Sequence, residues 1–396
     1  MRTRSQRSQR SDGSHELSPM PPVSLSSLPE AVLEHTLTFV DENDDARCRA
    51  ISRSWARLRR AWVLHFAENG RLGSGQVTAV AFSPDGSLLA VGAEVNPPVM
   101  LYDAATGDLR RALSRGAREH WRDYAKCFAF TPDGTVLATG CSGKICLYNV
   151  ATGESSDLFF TTERLSADVT SVAFSPDGNN LAFCHDRMAA IVGIGGWIKS
   201  PRVLATSDFY NRIKGVAFSP TGSVLAVGVG PTVKCFDVSS GQPRLEIEYN
   251  VAICSVAFSS RGTVAVGGCG KLTFYDGSTG RLQQEPRPDF LDGRASFVNT
   301  LCFSPDGSII AASTTENSRS KSIDIYDAET GELLLAIGRA CLGIKAAAFS
   351  ADGKSIALGD WVSLRGGGKL TLYDVETLDL RRMQRQPQAS PAAPTA

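Results

Sequence analysis

A short pattern of an aromatic residue followed by a tight turn recurs along the chain and constrains its fold more than any other feature. The copies read VAFSPDG, FAFTPDG, VAFSPDG, VAFSPTG, VAFSSRG, LCFSPDG and AAFSADG. Their aromatic residues are Phe82, Phe130, Phe174, Phe218, Phe258, Phe303 and Phe349. The copies are 40 to 48 residues apart, which predicts seven structural units of similar length.

Each unit repeats the same order of strand and turn signals. In the first unit, the alternating stretch 77–82 predicts a strand, and Ser83-Pro84-Asp85-Gly86 predicts a turn. Proline presets φ there, and glycine tolerates the left-handed conformation that closes such a turn. Two more strands are predicted, and a fourth starts at Leu109. Four antiparallel strands per unit are typical of a propeller blade, so we expect an all-β seven-bladed propeller over residues 71–384.

The third predicted strand of most units ends on an aromatic residue followed by a polar one. These pairs are Tyr102-Asp103, Tyr148-Asn149, Phe236-Asp237, Tyr275-Asp276, Tyr326-Asp327 and Tyr373-Asp374. The unit therefore resembles a WD repeat with tyrosine or phenylalanine in place of tryptophan. The resemblance implies that the aromatic ring packs between blades and that its neighbour bonds the next turn. The family's Gly-His dipeptide is missing, so we do not expect its Asp-His-Ser-Trp hydrogen-bond network.

Two features of the predicted ring stay open. The third unit is degenerate, because Ile191-Val192-Gly193-Ile194 stands where other units have the aromatic pair. Each unit is read as complete with four strands of its own, so the ring can close without help from the far terminus. WD propellers, however, usually borrow one strand for closure.

Residues 22–67 follow a helical rather than a strand period. Ser27 and Glu30 form a capping box, and Pro29 stands in the first turn, where proline is tolerated. After an acidic break at 41–45, apolar residues recur at helical steps. They are Cys48, Ile51, Trp55, Leu58 and Trp62. The pattern predicts a small all-α module of two helices before the propeller.

This module resembles an F-box. The resemblance is carried by Leu28-Pro29, Val32-Leu33, Leu37, Phe39-Val40, the acidic turn and Ile51-Ser52-Arg53-Ser54-Trp55. It implies docking on a Skp-type adaptor and, through it, on a cullin complex. The implied adaptor-binding residues are Leu28, Pro29, Val32, Leu33, Leu37, Ile51 and Trp55. The basic arm 1–21 and the tail 385–396 have too few apolar residues to order themselves and are expected to be disordered.

Composition and motif searches exclude several function classes. The chain has 41 basic and 41 acidic residues, so it lacks the field of a general nucleic-acid or membrane binder. It has no apolar run long enough to span a membrane and no secretory leader, so a cytoplasmic or nuclear location is expected. Its ten cysteines form no CxxC pair, and its histidines form no HExxH motif, so no metal or cofactor is expected. No catalytic constellation is found, and the chain is not expected to be an enzyme.

What remains is recognition by loops at one end of the propeller. The candidate substrate-binding residues are Arg118, His120, Trp121, Arg122, Arg187, Arg294, Arg319, Trp361 and Arg365. Tryptophan and arginine are favoured as anchors of interfaces. These loops can equally be ordinary solvated loops. Two functions are therefore carried forward: the substrate receptor of an SCF-type ubiquitin ligase, and a WD-repeat scaffold without a ubiquitin role.

Overall fold

The computed structural model describes residues 60–66, 76–94, 98–114, 124–159, 168–185, 187–194, 200–207, 212–286, 296–316, 320–341, 344–361 and 368–375. Within these residues all regular structure is β, and no helix occurs. The strands form seven antiparallel four-stranded sheets, which are the seven blades. The predicted seven-bladed propeller is confirmed. The proposed arm 1–21, tail 385–396 and most of the helical module 22–67 lie outside the described residues.

Blades 1 to 6 are each built from four consecutive strands, ordered from the inner to the outer edge of the ring. Blade 1 consists of β2 (Val77–Phe82), β3 (Leu88–Ala93), β4 (Val99–Asp103) and β5 (Leu109–Leu113). Blade 2 consists of β6 (Cys127–Phe130), β7 (Val136–Gly140), β8 (Lys144–Asn149) and β9 (Ser155–Phe159). Blade 3 consists of β10 (Val169–Phe174), β11 (Asn180–His185), β12 (Met188–Gly193) and β13 (Arg202–Thr206). Blade 4 consists of β14 (Ile213–Phe218), β15 (Val224–Val229), β16 (Thr232–Asp237) and β17 (Pro243–Glu248). Blade 5 consists of β18 (Ile253–Phe258), β19 (Thr263–Gly268), β20 (Lys271–Asp276) and β21 (Leu282–Gln284). Blade 6 consists of β22 (Ser296–Phe303), β23 (Ile309–Glu316), β24 (Ser320–Asp327) and β25 (Leu333–Cys341).

Blade 7 joins the two ends of the described chain. Its first three strands are β26 (Ile344–Phe349), β27 (Ser355–Trp361) and β28 (Gly368–Asp374), and its outer strand is β1 (Arg60–Phe66). The register pairs Val63 with Thr371 and Phe66 with Gly368. The ring therefore closes with a strand taken from the other end of the sequence.

Two expectations are corrected by β1. The second predicted helix was extended to Trp62, but 60–66 is a strand, so the helical segment can reach no further than residue 59. The seventh unit, like the others, was read as complete with four strands of its own, and a borrowed strand was the open alternative. The structure shows the borrowed strand, β1. Asp379-Leu380-Arg381-Arg382 repeats Asp108-Leu109-Arg110-Arg111, which starts β5, but β1 occupies the outer place in blade 7.

Apolar clusters fill the spaces between neighbouring blades. One cluster combines Val77 and Leu89 of blade 1 with Leu370 and Leu372 of blade 7, and a corresponding cluster lies at each of the other six interfaces. The innermost strands β2, β6, β10, β14, β18, β22 and β26 contact one another around the axis. We call them the inner strands. The blade 7–blade 1 interface thus completes a closed ring of seven equivalent cores.

Glycines in the second strands let the blades approach closely. A Cβ added to Gly267 would stand 2.5 Å from Cγ1 of Val298 in the next blade, and one added to Gly228 would stand 2.8 Å from Cγ2 of Ile253. Real Cβ atoms do not come this close to other carbon atoms, so any larger residue at these positions would push adjacent blades apart. The tight packing between sheets depends on this absence of a side chain.

The recurring turns join the inner strand to the second strand in every blade. All seven turn glycines have a left-handed φ, for example +73° at Gly86, as the sequence predicts. The Asp85 carboxylate accepts bonds from Ser83 Oγ at 2.5 Å and from the Ser87 N–H at 3.0 Å. These turns, together with those between the third and fourth strands, define the lower end of the propeller. The remaining connections define the upper end.

The aromatic–polar pairs behave as the WD-repeat resemblance implies. Tyr102, Tyr148, Phe236, Tyr275, Tyr326 and Tyr373 are all buried in the clusters shared with the preceding blade. Asp276 accepts bonds from the N–H groups of Ser278 and Thr279 at 3.0 and 2.8 Å. In the degenerate third unit, Val192 pairs with Leu181, as the aromatic residues of other blades pair with their second strands. A smaller apolar residue therefore fills the same place.

The turn carboxylates make the stability of the folded protein depend on pH. The Ser278 hydroxyl and the Thr279 N–H hold the pKa of Asp276 at about 2, below its usual 3.8. The folded state therefore favours the ionised form. This stabilisation is complete above about pH 4 and is lost as the pH falls towards about 2. We expect Asp276→Asn to be less stable than wild type at neutral pH, with the difference shrinking towards pH 2 in urea titrations. A difference that stays constant across this range would contradict the prediction.

Single proline substitutions in residues 60–66 distinguish the edge strand of blade 7 from the helix that the sequence predicted there. In an edge strand, alternate N–H groups face the neighbouring strand, so only one of two adjacent residues donates to β28. We expect one of Val63→Pro and Leu64→Pro to lower the melting temperature by about 5 °C or more and the other to have little effect. Hydrogen exchange of β28 amides should rise only in the destabilised variant. Equal destabilisation by both prolines would indicate a helix instead.

Candidate functional site

In six of the seven blades the inner strand carries a β-bulge near the upper end, four residues before the recurring phenylalanine. In blade 2 the residue at that position, Lys126, directly precedes β6. In blade 1 the register passes from the Val77–Ala93 pair to the Ala79–Gly92 pair and leaves Thr78 unpaired. The equivalent residues of the seven blades are Thr78, Lys126, Thr170, Lys214, Cys254, Asn299 and Lys345. We call this set the mouth ring. All seven side chains are partly or fully exposed, although the residues just before them are buried.

Mouth-ring side chains reach across to the next blade. Thr78 Oγ1 donates to the Ala125 carbonyl at 2.5 Å, and Lys345 Nζ donates to Gln76 Oε1 at 2.5 Å. Lys126 forms an ion pair with Asp168 of blade 3. These contacts link the upper ends of the inner strands of blades 7, 1, 2 and 3.

Two lysines of the mouth ring face a common space. Lys345 belongs to blade 7 and Lys126 to blade 2, with blade 1 between them. Partial burial lowers the pKa of Lys345, and repulsion from Lys126 lowers it further, while Glu94 opposes both effects. Like charges from blades that are not neighbours therefore interact at the mouth. Lys126 also lies over the ring of Tyr124, 5.0 Å from its centroid.

The opposite arc of the mouth combines an exposed lysine with apolar and thiol groups. Lys214 is exposed and forms no ion pair or hydrogen bond with the described residues. It lies near Cys254, whose thiol pKa is raised by burial and lowered in part by Lys214. Phe297, two residues before the mouth-ring position of blade 6, is 39% exposed. This arc offers both charge and apolar surface to a ligand.

The structure places two of the predicted substrate-binding residues. Arg187 lies in the turn between β11 and β12, and Trp361 ends β27, so both are at the upper end as expected. The other candidates lie outside the described residues. They are Arg118, His120, Trp121, Arg122, Arg294, Arg319 and Arg365. The implied adaptor-binding residues also lie outside them: Leu28, Pro29, Val32, Leu33, Leu37, Ile51 and Trp55.

Sequence reasoning concentrated on variable loops and missed the mouth-ring lysines. Lys126, Lys214 and Lys345 stand inside predicted strands, where a charged residue looks like an ordinary solvent-facing one. A signal was present, because each stands four residues before a recurring phenylalanine. Aligning the seven copies on that phenylalanine and reading the column would have found them.

The described residues contain no group of three or more histidine, cysteine or acidic side chains placed to hold a metal ion. Among the same residues, no helix is long and apolar enough to cross a membrane. The turn aspartates at the lower end are used inside their own turns. Ser175 and Ser350 donate to Asp177 and Asp352 in the same way as Ser83 donates to Asp85. Their role is therefore structural.

Comparison with known proteins agrees with the repeated β-sheet fold. The family model "WD domain, G-beta repeat" matches residues 68–94, 116–149, 159–191 and 288–327. Telomerase protein component 1 of Rattus norvegicus is 23% identical over 290 residues, which cover 72% of this chain and 9% of that protein. WD repeat-containing protein 18 of Danio rerio is 25% identical over 172 residues, or 40% of this chain and 36% of that protein. The chain thus matches only a minor part of the length of these curated relatives.

A solved structure is similar over most of the propeller. The crystal structure of the Myceliophteria thermophila Cps50 (Swd1) beta-propeller domain superimposes with a TM-score of 0.62 and 17% identity. The match covers 78% of this chain and 99% of that chain. At this identity the likeness concerns the fold alone. Together with the seven sheets, it identifies the fold as a seven-bladed β-propeller, in which four segments match the WD40-repeat model.

Proposed function

We propose that this chain is a non-catalytic scaffold that binds partner proteins at the upper end of its propeller. The observation that carries the proposal is the mouth ring, in which each of the seven inner strands places a partly or fully exposed side chain at the upper end of the propeller. Contacts such as the Lys345–Gln76 bond hold these side chains in place across blade boundaries. A surface that is ordered before binding loses little conformational freedom when a partner docks.

Such a scaffold acts by proximity. Proteins bound to one rigid disc experience a raised local concentration of each other, and the disc itself makes or breaks no bond. In this proposal the chain works in the cytoplasm or nucleus and has neither nucleic acid nor a membrane as its partner. The net charge of zero supports this part of the proposal, since non-specific binding to polyanions needs a basic surface overall.

Photo-crosslinking tests the location of the partner site. A photoreactive residue in place of Thr170 would report on the mouth ring of blade 3. The same residue in place of Val203, which is 49% exposed on the outer strand of that blade, is the matched control. We expect crosslinks to specific proteins from position 170 and few from position 203. Equal crosslinking, or crosslinking only from position 203, would contradict a binding site at the mouth.

A second candidate function is that of a substrate receptor in an SCF-type ubiquitin ligase. It is favoured by the F-box-like pattern in residues 22–59, above all Leu28-Pro29 and Ile51-Ser52-Arg53-Ser54-Trp55. In this proposal that segment docks on a Skp-type adaptor in a cullin complex, and the propeller holds the substrate protein. Four residues lie between Trp55 and the start of β1 at Arg60.

Co-precipitation with the adaptor separates the two functions. We expect the full-length chain to capture the adaptor and the double variant Leu28→Ala, Pro29→Ala to lose capture at an unchanged melting temperature. The matched control is Pro19→Ala, Pro21→Ala, which changes nearby prolines outside the F-box-like segment and should still capture the adaptor. If the wild-type chain fails to capture the adaptor, the receptor function is wrong and the scaffold function stands.

A further inference from the structure

The sequence that runs on from β28 repeats the one that forms the outer strand of blade 1. Residues 373–382 read YDVETLDLRR, and residues 102–111 read YDAATGDLRR, so seven of the ten positions are identical. In blade 1 this sequence forms the end of β4, a turn and the start of β5. In blade 7 the outer strand is instead β1. The chain therefore has two segments that match one position in the ring, β1 and residues 380–384, which we call the 380–384 segment.

The chain leaves β28 in the same way as it leaves β4. The first residue after β4 is Ala104, whose N–H donates to the Ser87 carbonyl at 2.9 Å. The first residue after β28 is Val375, whose N–H donates to the Lys354 carbonyl at 2.5 Å. Ser87 and Lys354 each follow the glycine of the recurring turn. The first bond of the turn that leads to an outer strand is thus present in blade 7 as well.

Contacts in blade 1 show what the repeated residues do there. Arg110 pairs with Asp103 across the turn at 2.7 Å. Arg111 donates to the Thr152 and Ala151 carbonyls of blade 2 at 2.9 and 2.8 Å. The residues at the matching positions after β28 have the same identities and are Asp374, Arg381 and Arg382. The repeat therefore carries the side chains that tie an outer strand to its own turn and to the next blade.

One departure from the repeat disfavours the turn that leads to the 380–384 segment. Leu378 stands where blade 1 has Gly107, whose φ is +78°. The equivalent glycines of blades 2, 4, 5 and 6 also have a left-handed φ, and they are Gly153, Gly241, Gly280 and Gly331. A residue with a Cβ adopts this conformation only at a cost in free energy, so Leu378 makes the turn less stable.

A second departure weakens the packing of the 380–384 segment. Gln384 stands where blade 1 has Leu113, which is 1% exposed and packs in the core shared with blade 2. The residue of β1 at this position is Leu64, because it pairs with Leu370 as Leu113 pairs with Val99. Leucine is favoured over glutamine at a buried position. Leu378 and Gln384 thus account for the choice of β1 as the outer strand.

Both segments are tethered close to the edge of β28. Residues 375–379 join the 380–384 segment to β28, and residues 67–75 join β1 to the part of blade 1 that begins at residue 76. A short tether gives each segment a high effective concentration at that edge. One segment can therefore replace the other while blades 1 to 6 stay folded.

We propose that the 380–384 segment is a second outer strand for blade 7, which replaces β1 when β1 leaves the ring. The propeller has seven four-stranded blades in both states. Leu378 and Gln384 set the equilibrium in favour of β1. The exchange releases β1, together with the F-box-like pattern that precedes it, while the ring stays closed. This inference does not depend on which partner binds at the upper end.

Hydrogen exchange of the full-length protein, followed by mass spectrometry, tests the exchange of strands. The double variant Leu378→Gly, Gln384→Leu removes both departures from the blade 1 sequence, and each change should shift the equilibrium about tenfold. We expect protection of residues 60–66 to fall at least tenfold relative to wild type and protection of the 380–384 segment to rise. The matched control is Leu380→Ala, because the equivalent Leu109 is 55% exposed, and it should exchange like wild type.

A proline in β1 provides an independent measurement. The proline at position 63 or 64 that destabilises the wild-type chain should lower the melting temperature less than half as much in the Leu378→Gly, Gln384→Leu background. The reason is that β1 no longer forms the outer strand there, so a proline within it breaks no ladder hydrogen bond.

The inference fails if residues 60–66 keep their wild-type protection in the double variant. It fails equally if the β1 proline costs as much in that background as in wild type. Elution of the double variant as a dimer in size-exclusion chromatography would also overturn it, because the strands would then be exchanged between two copies. None of these outcomes bears on the scaffold function, which is decided by crosslinking at Thr170.

Discussion

Each sheet of this protein has two apolar faces and can bury them only against two other sheets. The clusters between blades contain residues from both partners, such as Tyr373 of blade 7 packed with Ile323 and Ile325 of blade 6. A single blade would leave both faces in water, and an open row of blades would leave two faces exposed. Closure of the ring is therefore part of the hydrophobic core. The glycine at 267 and its equivalents make the contacts close enough for dense packing.

The two ends of the ring use charge in different ways. At the lower end, carboxylates such as Asp276 are occupied by hydroxyl and N–H donors of their own turns, so they stabilise the blade that contains them. At the upper end, the bulge releases Lys214 from the strand ladder without giving it an acidic partner in the described part of the chain. At the upper end, side chains that link neighbouring blades, such as Thr78, therefore lie beside a lysine that has no acidic partner among the described residues.

The sequence predicts most of this fold because the repeat is local. Turn chemistry such as Ser83-Pro84-Asp85-Gly86 and strand alternation are decided within a few residues, so seven blades and their turns could be read directly. The way in which the ring closes could not be read from the sequence, because the pairing of Val63 with Thr371 joins residues about three hundred positions apart. In addition, two segments of the sequence fit the outer position of blade 7. The site was missed for a related reason. The charges of Lys126 and Lys345 influence each other only after blades 7, 1 and 2 have been arranged around a common axis.

The position of β1 has a consequence for how the molecule is made. During synthesis, Arg60–Phe66 emerges before any blade exists, whereas its partner strand Gly368–Asp374 emerges after all the others. Blades 1 to 6 can assemble from neighbouring segments as the ribosome delivers them. The final contact must wait for almost the whole chain and closes a very long loop, which is slow. Until then, the earliest strand and the last three-stranded sheet both present unpaired edges, and this is the interval in which the chain is most open to mispairing with another copy.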